Sequence, residues 1–217
     1  GATESIIGDL VLSTGARATF NQNYGFVCTP GNATTAIRYL PANINGTAIA
    51  DVVTANNGIV GGWAIINGND FATWLPGQGL GAMGNTEDGF RAYESGDLST
   101  ATATQNVNDG TGRTINTKTV NSLRFNGAAT HTINAGQTLT INTGGVMSIK
   151  GGSGYTITIN NFTNSGAINQ AINPNTTATL AGNMTVVGAA TFNTSSGSGD
   201  VRIITNNMTM SGTGAVT

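Results

Sequence analysis

Aromatic rings set beside short amides are the first residues in this chain that could do chemistry. Trp63, Phe71 and Trp74 fall within GGWAIINGNDFATW, interleaved with Asn67, Asn69 and Asp70. Flat apolar faces suit sugar rings, and amide or carboxylate groups suit sugar hydroxyls, so Trp63, Asp70, Phe71 and Trp74 are the candidate residues for binding a glycan or partner. The plainer use of the same rings, and the preferred one, is to cover an open apolar face, because exposing that much ring surface to water is costly.

A second group is acidic. Glu87, Asp88, Glu94 and Asp97 cluster around Arg91 in a Gly-rich stretch. Glycoside hydrolysis needs two carboxylates held across the scissile bond. No second cluster exists to frame a cleft, so a solvated loop with Arg91 as its partner fits better. Calcium would want several oxygen ligands from closely spaced positions, of which Glu87 and Asp88 supply some. Asn106, Asn108 and Asp109, in NVNDGTG, are further candidate oxygen ligands. That run lacks the closing glutamate of an EF-hand, and an Asp-Gly turn is the better expectation.

His131 is the sole histidine and Cys28 the sole cysteine. Together they permit no Cys/His metal cluster, no internal disulfide framework and no Ser/His relay with any of the named acids. His131 reads as a surface or satisfied strand position, and Cys28 as a small buried hydrophobe. The run KGGSGY (Lys150–Tyr155) lacks the GKS or GKT and the following helix of a phosphate loop, so it reads as a corner. The expectation is a chain with no catalytic set, no metal centre and no cofactor, and not an enzyme.

Composition narrows the field further. The 217 residues are 38% hydrophobic, enough for a thin core, and only 8% charged, unlike the charge-rich disordered class. Polarity without charge is typical of long extracellular β structures. The net charge is −2, with eight scattered Lys and Arg, so no basic stripe exists to neutralise phosphates and nucleic acid is not an expected partner. No run approaches the roughly 18 apolar residues of a membrane helix, so this segment is not expected to insert into a membrane. The chain starts at Gly1 without a leader and MSGTGAVT stops in mid-pattern, which reads as a piece of a longer polypeptide. Asn-x-Ser/Thr tripeptides at Asn32, Asn45, Asn161, Asn175, Asn183, Asn193 and Asn207 follow from composition. Amides bonding to the next strand are a better use for such residues than sugar attachment.

The elements that must hold these residues are strands. From Val120 to Ile159 hydroxyl or amide residues alternate with apolar ones: Thr138, Thr140 and Asn142 with Leu139 and Ile141, then Thr156 and Thr158 with Tyr155, Ile157 and Ile159. The corners between them (AGQ, TGG, KGGSG) lack the Asn-Gly or Asp-Gly of a two-residue hairpin and suit a chain coiling into stacked rungs. Further strands are expected near 167–172, 177–180, 184–187, 201–204 and 208–210. Residues 1–60 read as opening rungs: Tyr24, Phe26 and Cys28 share one side of a strand, with corners at Thr29-Pro30-Gly31 and Pro41-Ala42-Asn43. TAIADVVTANNGIVGG, rich in β-branched residues, reads as strand, turn, strand. Residues 61–110 are an irregular aromatic and acidic elaboration, and 111–217 are regular rungs.

The expected fold is all-β, a parallel, right-handed β-helix or β-solenoid. Its interior would hold Leu123, Phe125, Ile133, Leu139, Ile141, Val146, Ile157, Ile159, Leu180, Val186 and Ile203. The alternative is an antiparallel β-sandwich over 1–110 leading into a solenoid. Asn45-Gly46, Asn67-Gly68, Asp109-Gly110 and Asn126-Gly127, all hairpin signals, favour it.

GGWAIINGNDFATW (Gly61–Trp74) followed by VNSLRFNGAATHTINAGQTLTI (Val120–Ile141) resembles the autotransporter-associated β-strand repeat proteins. In that family a GGWA-x-DWA-like segment precedes a TINSLRFN-type tract and rungs of TLTI-x-SGG type. The resemblance covers residues 61–160 by motif and the flanks by composition. It implies a parallel β-helix on a bacterial cell surface and no chemistry. The chain departs from the family in lacking a TYTGGTT-type repeat and a membrane-barrel segment, so autotransport itself is not implied. The expected role is that of an extracellular stalk, fibre or filament unit that stacks head to tail with copies or continuing segments of itself. The alternative is an adhesive or glycan-binding module carried by residues 61–97.

Overall fold

Alternation of apolar and polar residues does produce strands through most of the chain. The computed structural model describes residues 3–13, 18–21, 37–127, 132–133, 137, 139–143, 145–148, 155–160, 162–164, 168–172, 176–187, 190–194 and 201–211, with backbone alone at 3–5, 37, 132–133 and from 146 onward. The fold is all-β apart from one short helix, and it divides into two compact units, residues 1–92 and 93–217. Cys28 with its strand, the Thr29-Pro30-Gly31 corner, His131 and residues 150–154 lie outside the described residues.

The first unit contains β1 (Thr3–Leu10), β2 (Ala18–Phe20), β3 (Ile37–Ile44), β4 (Thr47–Ala48), helix α1 (Ile49–Ala55), β5 (Ala64–Ile66), β6 (Asp70–Leu75) and β7 (Gly79–Ala82). Pairing is mixed. β1 runs parallel to β3, and β2 parallel to β5. The β3–β4, β5–β6 and β6–β7 pairs are antiparallel. Asn45 and Gly46 join β3 to β4 with φ of 48° and 79°, the two left-handed residues that a tight hairpin requires. The turn is stitched to β1, because Asn45 Oδ1 accepts from the Leu12 amide at 2.7 Å and the Asp9 carboxylate accepts from the Gly46 amide at 3.0 Å. Phe20, Ile44, Ile49, Val60, Ala64, Ile66, Ala72 and Leu80 form the core.

Two expectations for this unit are corrected. The segment expected as strand, turn, strand holds α1. Val52 and Val53 pack against the core from the helix, and the few tenths of a kcal/mol that a β-branched residue loses in a helix is small beside burial of its side chain. The Asn-Asn-Gly step is a turn, but one that ends the helix. The Asn56 side chain donates to the carbonyls of Val52 and Val60, and the Gly58 amide donates to the Val53 carbonyl at 2.8 Å. Pro41-Ala42-Asn43 is no corner either, since β3 runs straight through it with Pro41 opposite Ile7 of β1. β4 pairs only with Asn43 and Ile44, so at Pro41 the strand is flanked on one side and a missing N–H is tolerated.

The second unit contains β8 (Asn106–Asp109), β9 (Thr114–Ile115), β10 (Lys118–Val120), β11 (Ser122–Phe125), β12 (Thr132–Ile133), β13 (Leu139–Ile141), β14 (Gly145–Ser148), β15 (Tyr155–Asn160), β16 (Phe162–Asn164), β17 (Ile168–Ile172), β18 (Thr176–Val187), β19 (Ala190–Thr194) and β20 (Val201–Ser211). Every pairing among these strands is parallel. One sheet has the order β19-β17-β14-β11-β8, while β10, β13, β16 and β18 follow one another in a second, where β20 also pairs with β18. Thr119, Thr140, Thr163, Thr185 and Thr209 fall in one register column across that second sheet. In β10 and β13 the period-two reading holds: Val120, Leu139 and Ile141 are buried beside half-buried Thr119 and Thr140. β18 and β20 are each continuous where two strands were expected, because a register shift at Gly182/Asn183 absorbs the irregularity without ending the ladder.

Of the expected interior residues, Leu123, Phe125, Leu139 and Ile141 are buried. Ile133 pairs with Ile115, Val146 with Leu123, Ile157 with Ala178, Ile159 with Leu180, Leu180 with Ile203 and Val186 with Met210. The side chains of Ile133, Val146, Ile157, Ile159, Leu180, Val186 and Ile203 lie outside the described residues.

The hairpin signals divide. Asn45-Gly46 and Asn67-Gly68 are hairpin turns, whereas Asp109-Gly110 and Asn126-Gly127 are not. These last two follow parallel neighbours, β8 and β11, and lie one upon the other. A Cβ built on Gly127 would land on the Gly110 carbonyl, and one built on Gly110 would meet the Asn126 side chain. Glycine is needed there for close backbone approach.

Candidate functional site

The aromatic and amide residues of 61–74 sit on β5, β6 and the turn between them. Asn67 and Gly68 take φ of 51° and 70°, the Asn69 amide donates to the Ile66 carbonyl at 2.9 Å, and β6 returns antiparallel with Ile65 opposite Phe71. Asn67 and Asn69 are exposed at this tip, and Asp70 is half-buried. Along β6 successive side chains point to opposite faces. Asp70, Ala72 and Trp74 therefore share one face, and Phe71 and Thr73 the other. Phe71 is 0% exposed, and Thr73 is also buried, its hydroxyl donating to the Gly58 carbonyl at 2.6 Å. Trp63 and Trp74 are half-buried and pack against the core cluster. The Trp63 indole lies tight against Gly61, where an added Cβ would come within 2.5 Å of Nε1. Phe71 and Trp74 are thus not brought onto one platform.

The acids divide between the two units. Glu87 and Asp88 lie in a 3-10 turn, Thr86–Asp88, where Glu87 is exposed and Asp88 accepts from the Asn85 amide group at 2.7 Å. The Arg91 side chain passes over Gly58. In the second unit, Glu94 Oε2 accepts from the Asn106 amide at 2.7 Å. Asp97 accepts from both the amide and the hydroxyl of Ser99, and Arg113 stands 3.3 Å from it. The Ser99 hydroxyl is the main reason the Asp97 carboxyl is held below its ordinary 3.8. Burial opposes this, and the Ser99 amide and Arg113 assist.

No family model, curated protein or solved structure matches this chain. The oxygens at 106–109 therefore have to be read from their own partners. Asn106 Oδ1 accepts from Asn121 Nδ2 at 2.8 Å and from the Ser122 hydroxyl at 2.7 Å, an amide reaching to the next strand as the composition suggests. Asn108 Oδ1 accepts from Arg124 Nη1 at 2.7 Å. Asp109, fully buried, accepts from the amides of Leu98 and Thr111, both at 2.8 Å, and from Arg113 Nε at 3.2 Å. Asp109-Gly110 does turn the chain, through this Asp109 Oδ1 bond to Thr111 two residues on, but it closes no hairpin. Among the described residues no group of three or more His, Cys, Asp or Glu could hold a metal ion, and no helix is long and apolar enough to cross a membrane.

Arg113, with Asp97 on one side and Asp109 on the other, is the residue that sequence reasoning missed. The run DGTGR reads as an Asp-Gly turn, and nothing in it signals that Asp109 is buried. The whole arrangement, Asn106 to Asn121, Asn108 to Arg124 and Asp109 to Arg113, binds segments of the chain to one another.

Proposed function

We propose that the second unit is a length of parallel β-solenoid, and that the chain is a structural segment of a long extracellular bacterial surface protein of the autotransporter-associated β-strand repeat kind. Its work is mechanical: a stalk, fibre or filament-forming unit. The observation that carries this reading is the register column from Thr119 to Thr209, five parallel strands drawn from successive stretches of one chain. Between visits to that sheet the chain passes to the other in a fixed order, β10 to β11, β13 to β14, β16 to β17 and β18 to β19. Turns of one chain laid upon each other produce such a pattern, whereas a sandwich of hairpins would pair its neighbours antiparallel. Each turn satisfies the backbone groups of the next, and the low charge limits repulsion between turns and between neighbouring molecules. Head-to-tail contact with copies or continuing segments is heterologous and builds a filament when it does not close on itself.

Negative-stain microscopy and small-angle scattering test the proposal. Elongated particles, with a second-unit axis advancing about 4.8 Å per strand, support it. A compact particle with no long axis overturns it. A second reading, the adhesive module over 61–97, rests on Trp63 and Trp74, whose rings are only half-buried, and on Asn67 and Asn69, which are exposed at the β5–β6 turn. Saturable binding on a glycan array, lost in Trp63→Ala at unchanged thermal stability, would favour it over the mechanical one.

A further inference from the structure

A strand at the margin of a sheet offers a row of N–H and C=O groups to whatever arrives next. β8 is the last strand of the β19-β17-β14-β11-β8 sheet, and its margin away from β11 is closed by the chain itself. The Asn106 amide donates to Glu94 Oε2 at 2.7 Å, and the Asn106 carbonyl accepts from the Glu94 and Ser95 amides at 3.1 and 3.4 Å. The Asn108 amide donates to the Ser95 carbonyl at 2.8 Å, and Ser95 makes an isolated parallel bridge to Val107. Immediately afterwards the chain turns out of the sheet. The Ser95 hydroxyl accepts from the Asp97 amide at 3.1 Å, and the Ala101 amide donates to the Asp97 carbonyl at 3.1 Å. The added strand is thus one residue long and leaves no ladder to extend.

Anchors hold it at both ends. The Arg124 guanidinium of β11 lies 5.4 Å from the Tyr93 ring centre. At the other end Leu98 is fully buried, with its amide on Asp109, and Arg113 joins Asp97 to Asp109. We infer that Tyr93–Leu98 is an edge cap that stops a second copy of this chain from adding a strand to β8. The excluded occupant follows from the sheet, whose members are all parallel strands of this one chain, so the segment shaped for that margin is another of the same kind. The inference stands apart from the mechanical reading: the cap keeps any head-to-tail contact off the β8 margin, and a chain that proved compact in microscopy would still need this margin closed.

Residue-resolved hydrogen exchange and sedimentation of the full chain test it. In the wild type the Asn106 and Asn108 amides exchange as slowly as those of β11. In Glu94→Ala/Asp97→Ala they exchange roughly tenfold faster or more, as loss of a charge-assisted bond requires. The variant then self-associates beyond the wild-type level, and the associated form protects both amides again. Rapid exchange at these amides in the wild type, unchanged exchange in the variant, or exposed amides without added association would each overturn the inference. If the double variant loses its strand signal in circular dichroism, Glu94→Ala alone carries both readouts.

Discussion

Replacing Arg113 by Met should cost more stability than the loss of a surface salt bridge. Arg113 is 27% exposed in its side chain, but the Asp109 carboxylate it reaches is 0% exposed. Arg113→Met keeps the apolar stem and leaves that carboxylate with only the Leu98 and Thr111 amides. Removing one partner of a buried ion pair costs about 3–5 kcal/mol. The two remaining donors and the partial exposure of the arginine bring the expected loss to about 2–3 kcal/mol. Adding Asp109→Asn removes the stranded charge, so the double variant should regain about 1 kcal/mol or more of that loss although it carries one more change. Urea unfolding followed by far-UV circular dichroism at pH 7 measures both steps. A loss under about 1 kcal/mol for Arg113→Met, or a double variant less stable than the single one, would refute the view of Asp109 as a buried charge dependent on Arg113.

The Asp97 carboxyl is held below 3.8 in the fold, chiefly by the Ser99 hydroxyl, so its contribution is present above that value and is lost as pH falls through the depressed one. Asp97→Asn should therefore show a smaller loss of urea midpoint than the wild type on going from pH about 4 to about 2, and Ser99→Ala should move the Asp97 carboxyl, followed by carbon NMR, upward. Gly127→Ala should destabilise by about 1–3 kcal/mol because its Cβ meets the Gly110 backbone, while Gly8→Ala, with nothing within 4 Å, should stay within about 1 kcal/mol of wild type in the same unfolding assay. Phe71→Ala should cost about 3–5 kcal/mol as a fully buried ring, and a substitution there that left stability unchanged would contradict the burial.

Period-two alternation marked β10 and β13 well, because there one face is buried and the other only half-buried: Leu139 and Ile141 against Thr140 is legible in sequence. The same signal fails where both faces are covered. Ser122, Leu123, Arg124 and Phe125 are all buried, and nothing in the letters SLRF says that Asn108 and Tyr93 cover the arginine. Hairpin dipeptides were legible only as bends. Whether Asn-Gly reverses the chain or lies beneath another glycine depends on what stacks on it, which is a long-range fact. Helix α1 was masked by its valines, whose place is set by the core they meet. The candidate site suffered most, since Phe71 and Trp74 are three apart and strand geometry alone, once known, puts them on opposite faces. The partners of Asp109 come from 98, 111 and 113, and only the folded chain brings Leu98 to it.

The column running Thr119, Thr140, Thr163, Thr185, Thr209 also constrains how such a gene can change in length. Excising or duplicating one whole interval between neighbouring threonines returns the chain to the same place in the ladder, so alleles should differ by complete intervals. An insertion of one residue within a strand would instead invert inside and outside for everything downstream until a bulge restored the phase.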